Sequence, residues 1–412
     1  MTDRLYYNDP YLQAFDATVR RVDRRDDRLR VTLDRTAFYP TSGGQPFDTG
    51  VLGPFRVVDV IDEEDGSISH VVEPAAENPE SRVPNPEPGQ VLRGAIDWPR
   101  RFDHMQQHTG QHVLSAACSR LFDVRTVSFH LGAAISTIDL AREMTPAEIA
   151  AAENEANRVV WEDRPVAIRF ATAEEAARLP LRKEPVRGGT LRLIDIEQFD
   201  LSACGGTHVA RTGGIGVIAV AGWERFKGGQ RIEFACGGRA LNAFRSLRDA
   251  VGASVRLLSV LPEELPGSIE RLQAELKEQK RATIALQNDL ARYRAEEIAA
   301  SAEPVRLRPD TPADYRLVAR AVDADANGLK ALAAAVTATP GFVVVLVSTS
   351  TPALAVVARS RDVDVSAQKV LATLIATFGG RGGGRPEAAQ GGGLAAEPDA
   401  ILRAARAAIA AV

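Results

Sequence analysis

Four side chains with metal-binding chemistry fall into two widely separated pairs, and both pairs repeat one spacing. His108 and His112 stand four positions apart, as do Cys204 and His208. On a helix this spacing places two side chains on one face, one above the other, so the first pair can grip a single ion. The second pair lies in Cys204-Gly205-Gly206-Thr207-His208, whose two glycines let the backbone bend close to whatever the thiolate binds. If the pairs converge they offer one sulfur and three imidazole nitrogens, a set that suits tetrahedral Zn²⁺. Six histidines in 412 residues readily produce one such pair by chance; two pairs in one stretch, one of them containing cysteine, point to a shared ion. His104 is also four positions from His108. A third turn of helix does not readily reach the same ion, so His104 is read as a supporting or surface residue. Cys118, on the apolar side of the helix, and Cys236, at the end of a strand, are read as buried thiols.

The interval between the two histidines holds Thr109, Gly110 and Gln111. A zinc peptidase would carry a glutamate there as general base. Its absence disfavours peptide-bond hydrolysis and leaves either an easier bond, such as an activated ester, or a structural ion.

The surrounding chain reads as a multidomain α+β protein. From about Ala14 to Val72 apolar and polar residues alternate, and Asp65-Gly66 marks a tight turn, giving a small antiparallel sheet or barrel. The Pro-, Glu- and Asn-rich stretch from Glu73 to Gln90 reads as a loop. Helices are expected over Phe102 to Leu121 and Thr145 to Trp161, the latter with Thr145 able to cap and Pro146 at the first helical position. Strands are expected at Val166 to Phe170, Leu191 to Ile196, Ile215 to Ala221 and Arg231 to Ala235. Between Leu265 and Glu297 the positions Leu265, Ile269, Leu272, Leu276, Gln279, Thr283, Leu286, Leu290 and Tyr293 form a coiled-coil seam interrupted by two polar residues. The last hundred residues read as an Ala-rich helix near Leu317 to Thr337, strands at Phe342 to Val347 and Ala353 to Ala358, a helix from Ser366 to Phe378, a glycine-rich segment and a final helix, an order typical of a separate α/β domain.

Composition bounds the class. With 45% hydrophobic and 25% charged residues the chain is that of an ordinary soluble protein. No window is long and apolar enough to span a bilayer, and the first residues carry no signal pattern, so a cytoplasmic protein without membrane contact is expected. Three cysteines in so long a chain fit metal ligation or burial better than disulfides. The formal net charge of −4 gives no global attraction to nucleic acid, so RNA binding would have to rest on local basic and backbone donor sites.

The strings QHTGQHVLSAA from Gln107 and CGGTHVARTGGIG from Cys204 resemble the paired motifs of the alanyl-tRNA synthetase editing domain and of its free-standing relatives. FYPTSGGQPFDTG from Phe38 is similar to the glycine-rich element of the barrel that precedes that domain, and GGRGGGRPEAAQGGG from Gly379 to the glycine motif of the synthetase's C-terminal domain. The likeness runs along nearly the whole chain in the family's order. It implies a β-barrel over residues 1–90, a zinc-containing editing domain over 91–245, a coiled-coil linker over 246–303 and a C-terminal tRNA-binding and dimerising α/β domain over 304–412. With a dozen residues ahead of the barrel, the resemblance implies a chain that edits and does not charge tRNA.

The resemblance further implies a zinc-dependent hydrolase, with one Zn²⁺ held by His108, His112, Cys204 and His208. Its substrate would be tRNA(Ala) mischarged with serine or glycine, and it would act as a homodimer through the coil and C-terminal domain. Thr109, Gln111, Thr126 and Ser128 are candidate catalytic or substrate-binding residues, with Gly43, Gly44 and Gln45 either packing over the editing pocket or making only a hairpin turn. Arg381, Gly382, Gly383, Gly384 and Arg385 are candidate tRNA contacts or part of a plain loop. Whether zinc would activate water or only position the terminal adenosine stays open, as does a non-catalytic alternative in which the metal only folds an RNA-binding protein.

Overall fold

The computed structural model describes residues 1–25, 28–75, 84–182, 189–305 and 315–411. They form two compact units, Met1–Ala253 and Ser254–Val412.

The first unit opens with a closed antiparallel barrel. Its strands are β1 (Ala14–Arg25), β2 (Arg28–Leu33), β3 (Gly50–Leu52), β4 (Phe55–Asp62), β5 (Ile68–Pro74) and β6 (Val91–Ile96), arranged β1-β2-β5-β4-β3-β6 and closed by β6 against β1. Alternation along the strands turns Val31, Leu33, Leu52, Val57 and Ile68 into a sealed core. Burial of each such side chain contributes about 1.5–3 kcal/mol. Gly66 closes the β4–β5 hairpin at φ +79°, as the Asp65-Gly66 pair predicts. The closing strand, β6, lies beyond residue 90, so the barrel extends past the expected boundary; residues 76–83 of the expected loop lie outside the described residues.

Helix α1 (Trp98–Phe122) follows the barrel almost directly. Asp97 caps it by accepting from Arg100 N, Pro99 occupies its first turn, and Asp123 ends it in the left-handed conformation. An ion pair fastens this helix to the barrel. Arg101, fully buried, binds Asp48, and its remaining donors reach the carbonyls of Pro10 and Ala37. Asp48 in turn accepts from Tyr39 N, so the pair is well satisfied despite its burial. These bonds explain why barrel and α+β region, expected as separate domains, share one unit.

Beyond α1 come β7 (Thr126–Leu131), β8 (Ser136–Leu140), α2 (Pro146–Trp161), β9 (Val166–Ala171), β10 (Leu191–Ile196), β11 (Asp200–Ala203), β12 (Ile218–Phe226), β13 (Gly229–Cys236) and α3 (Gly237–Leu258). Two antiparallel sheets result, ordered β12-β13-β8-β7 and β9-β10-β11. Thr145 and Glu148 form a capping box on α2. The strand expected from Ile215 begins at Ile218, because Thr212–Ile215 folds as a 3₁₀ turn.

In the second unit the seam expected between Leu265 and Glu297 lies on one continuous helix, α4 (Leu265–Ala300), with Leu272, Leu276, Leu286, Leu290 and Tyr293 exposed. A six-stranded sheet follows, built from β14 (Glu303–Val305), β15 (Tyr315–Val322), β16 (Phe342–Ser348), β17 (Ala353–Arg359), β18 (Arg381–Gly384) and β19 (Ala388–Leu394) in the order β14-β15-β16-β17-β19-β18. Helix α5 (Ala326–Thr337) and the end of α4 cover one face; α6 (Ala367–Phe378) and α7 (Pro398–Ala410) cover the other. This is an α/β layering. The helix expected from Leu317 starts only at Ala326, since Tyr315–Val322 pairs in parallel with the fully buried β16. Tertiary pairing there overrides an Ala-rich local preference.

Candidate metal centre

About one turn of α1, from His108 to His112, and the loop leaving β11 come together beside β7. The donor atoms of His108, His112, Cys204 and His208 lie within 4.8 Å of one another. Cys204 Sγ stands 3.4 Å from both His108 Nε2 and His208 Nε2. Sulfur and nitrogen ligands on a tetrahedral zinc are separated by about 3.5 Å, given bond lengths of about 2.3 and 2.0–2.1 Å.

The inward nitrogen of each ring is set by what its other nitrogen touches. His108 Nδ1 donates to Gln45 Oε1 at 2.8 Å, His112 Nδ1 lies 3.2 Å from Asp200 Oδ2, and His208 Nδ1 lies 3.2 Å from Thr109 Oγ1. Each partner is itself anchored. Gln45, wholly buried, donates to Thr207 Oγ1 and accepts from Thr207 N; Thr109 Oγ1 donates to Met105 O and accepts from Val209 N; Asp200 is clasped by Arg182 and by Ser202 Oγ. With all three Nδ1 atoms committed, all three Nε2 atoms are free for one ion, the arrangement that orients metal-binding histidines.

Electrostatics agree with this geometry. Burial works against ionisation of Cys204, but the His108 and His208 rings and the hydrogen bonds from His108 and His112 outweigh it and hold the thiol well below its ordinary range. Burial, followed by the neighbouring His108, pushes His208 down to about 3, which keeps it neutral and able to ligate. Burial likewise opposes a charge on His112, yet its bond to Asp200 raises it. Asp200 is kept ionised against burial by His112 and Arg182. Gly206 completes the cradle: a Cβ there would stand 2.2 Å from His108 Cε1. The donor set, its spacing and its buried supports fit a zinc ion.

A cleft of about 170 Å³ opens onto this cage, lined by Gly43, Gln111, Thr126, Ser128 and Arg182 together with the ligands His108, His112 and Cys204. Gln111 Nε2 and Thr126 Oγ1 both reach Ser115 Oγ, at 2.8 and 2.7 Å. Ser128 Oγ donates to Asp139 Oδ2. Phe129, on the same strand, stacks on the His108 ring with centroids 5.3 Å apart.

Several expected site residues occupy other places than the sequence suggests. Thr109, a candidate catalytic or substrate-binding residue, and Gln45, expected either over the pocket or in a hairpin turn, sit behind the histidine rings and orient them. Gly43 and Gly44, at φ +58° and +86°, make a tight turn closed between Ser42 and Gln45, and this turn docks on β7. A Cβ on Gly44 would meet Phe129 O at 2.8 Å, so the turn is at once a hairpin and a wall of the cleft. His104 is not at the surface: it is 3% exposed, its Nδ1 has no partner among the described residues, and burial lowers it to about 4. Cys118 and Cys236 are buried thiols raised by burial. Asp200, Arg182 and Ser202 escape sequence reading, although Asp200 and Ser202 stand only a few residues ahead of Cys204. In the second unit, Arg381 to Gly384 form β18, an exposed edge strand rather than a loop, with Arg385 in the turn to β19.

A closed barrel leading into a buried Cys/His cage beside an open cleft defines the class of molecule, and its relatives place it further. The family described as threonyl and alanyl tRNA synthetase second additional domain matches residues 191–233, and the DHHA1 domain matches 314–411. The alanyl-tRNA editing protein AlaX-L of Pyrococcus horikoshii is 32% identical over 410 residues, spanning 98% of this chain and 97% of that one. The alanine–tRNA ligases of Pyrococcus abyssi and Halobacterium salinarum are 34% and 36% identical, covering 95% and 98% of this chain but only 42% and 44% of their own length. The chain belongs to the family of alanyl-tRNA editing proteins that are homologous to the editing and C-terminal domains of alanyl-tRNA synthetase. It spans under half the length of these ligases. No helix among the described residues is long and apolar enough to cross a membrane.

Proposed function

We propose that the chain hydrolyses the ester that joins a wrongly attached amino acid to tRNA(Ala), with seryl-tRNA and glycyl-tRNA as substrates. The observation that carries this reading is the union, in one cleft, of a four-donor metal cage with the hydroxyls of Thr126 and Ser128. Likeness along 97% of an alanyl-tRNA editing protein supports it.

His108, His112, Cys204 and His208 would hold the ion, one per chain. Bound zinc would supply fixed positive charge at the cleft floor, helping to shape the cleft and to position the tRNA end. A water attacks the ester carbonyl, the acyl C–O bond to the terminal ribose breaks, the ribose oxygen takes up the proton that the water gives up, and the free amino acid leaves. Thr126 and Ser128 supply the wall against which the aminoacyl group rests. A serine hydroxyl finds a hydrogen-bond partner in Thr126 that an alanine methyl cannot engage. A synthetase pocket rejects a side chain that merely adds a hydroxyl poorly, which is why a second hydrolytic sieve is needed.

Arg381 and Arg385, with the bare backbone of Gly382, Gly383 and Gly384, contact tRNA phosphates. The exposed seam of α4 and the C-terminal α/β unit join two copies, which sedimentation of the full chain tests. The decisive assay for the activity is release of serine from seryl-tRNA(Ala) against alanyl-tRNA(Ala) as control. Release from seryl-tRNA alone, abolished by His108→Ala, is expected. Release from neither would favour the alternative in which the closed four-donor ion only folds an RNA-binding protein.

A further inference from the structure

Ser128 stands at the head of a polar row that crosses the sheet from the cleft to the far edge. Strand pairing sets Ser128 of β7 opposite Asp139 of β8, Asp139 opposite Arg231 of β13, and Arg231 opposite Glu224 of β12. Asp139 receives Arg231 through two parallel bonds of 2.7 and 3.0 Å, and the Arg231 guanidinium lies over the Phe226 ring, 3.6 Å from its centroid. Such a bidentate, stacked arginine is held in one geometry. The bond from Arg231 keeps the Asp139 carboxyl below its usual range, so it is ionised and can only accept.

The consequence falls on the hydroxyl. A serine has one proton and two lone pairs, and Ser128 gives its proton to Asp139. Toward the cleft it therefore presents lone pairs only. Ser202, which also lines the cleft, is in the same condition: its Oγ donates to Asp200 at 3.0 Å, and Asp200 is clasped by Arg182. The described residues lining the cleft include no carboxylate. Besides the Cys204 thiolate, and with Arg182 turned onto Asp200, a cationic donor entering the cleft would thus meet the hydroxyl acceptors of Ser128 and Ser202, each backed by a carboxylate.

We propose that Ser128 accepts a hydrogen bond from the α-ammonium group of the aminoacyl ester, and that Asp139, fixed by Arg231, is the positioning residue that keeps this hydroxyl turned proton-outward. The inference rests on the editing reading and sharpens it. Every aminoacyl ester carries the ammonium, so Ser128 holds the common part of the substrate and leaves Thr126 to meet the side chain. Glycyl esters, which have no side-chain hydroxyl, are held by the same contact.

The test uses the full zinc-loaded chain and two non-hydrolysable adenosines, one with a 3′-seryl-amido group and one with a 3′-(3-hydroxypropanoyl)-amido group, identical except for the amine. A hydrogen bond to a charged group predicts that the native chain binds the amine-bearing compound roughly 10- to 100-fold more tightly by calorimetry. In Ser128→Ala and Asp139→Asn that ratio should fall to within about threefold. Equal affinity of the native chain for both compounds, or an undiminished ratio in Ser128→Ala, would overturn the proposal. Ser128→Ala leaves the Asp139–Arg231 pair in place, so it decides the matter if Asp139→Asn does not fold. Binding needs no turnover: a native chain that discriminates the amine but releases no serine from seryl-tRNA counts against the editing reading and leaves this contact standing.

Discussion

The cage in the first unit and the glycine hairpin in the second both rely on glycine, for opposite reasons. At Gly206 the glycine makes room for a neighbouring side chain: a Cβ would strike His108 at 2.2 Å. In β18 the glycines leave the backbone bare. Gly382 and Gly384 lie against the β19 backbone, with nearest contacts of 2.4 Å for a Cβ, while at Gly383 a Cβ would meet nothing within 4 Å. The histidines of the cage are buried, and the Nδ1 atom of each ring has a named partner; β18 is exposed along its whole length. One site holds side chains against one another, the other leaves backbone open to solvent.

Substitutions can break this contrast, beginning where the effect is greatest. Gly206→Ala should displace the His108 ring and lower zinc affinity by at least about 100-fold, the upper end of what losing a ligand's support costs; competition with a chelator measures it, and near-native affinity would show that the ring has room to shift. Asp200→Asn removes the charge behind His112 and should cost roughly 10- to 100-fold in the same assay, with seryl-tRNA hydrolysis falling alongside. Arg381→Ala combined with Arg385→Ala should weaken tRNA binding several-fold and reduce the slope of log affinity against log salt by about 1.5, leaving zinc content unchanged. Gly383→Ala should fold unchanged, because the added methyl meets open space in the free chain, and should weaken tRNA binding slightly by hindering approach to the bare backbone; unchanged affinity in filter binding would take that position out of the phosphate contact.

What could be read in advance follows the same division. The four donors were legible because their spacing is local, four residues on a helix and four across a glycine loop. The barrel was legible from alternation, and α2 from its cap. Gln45, Asp200 and Arg182 were not legible in their roles, because their partners lie at other places in the chain and no periodicity connects Gln45 with His108. Tyr315–Val322 conceals its strand for a related reason. Its alanines favour a helix, but its pairing with β16 is settled by residues further along the chain. The glycine run was legible as a motif and not as a hairpin, since glycine carries no strand preference of its own and is held here by its neighbour β19.

We propose that His108, His112, Cys204 and His208 close around a single zinc ion at the floor of the cleft. X-ray absorption at the zinc edge of the full chain tests it most directly. We expect one zinc per chain with one sulfur at about 2.3 Å and three nitrogens at about 2.0–2.1 Å. A shell without sulfur, or a chain that binds no stoichiometric zinc, would contradict the account.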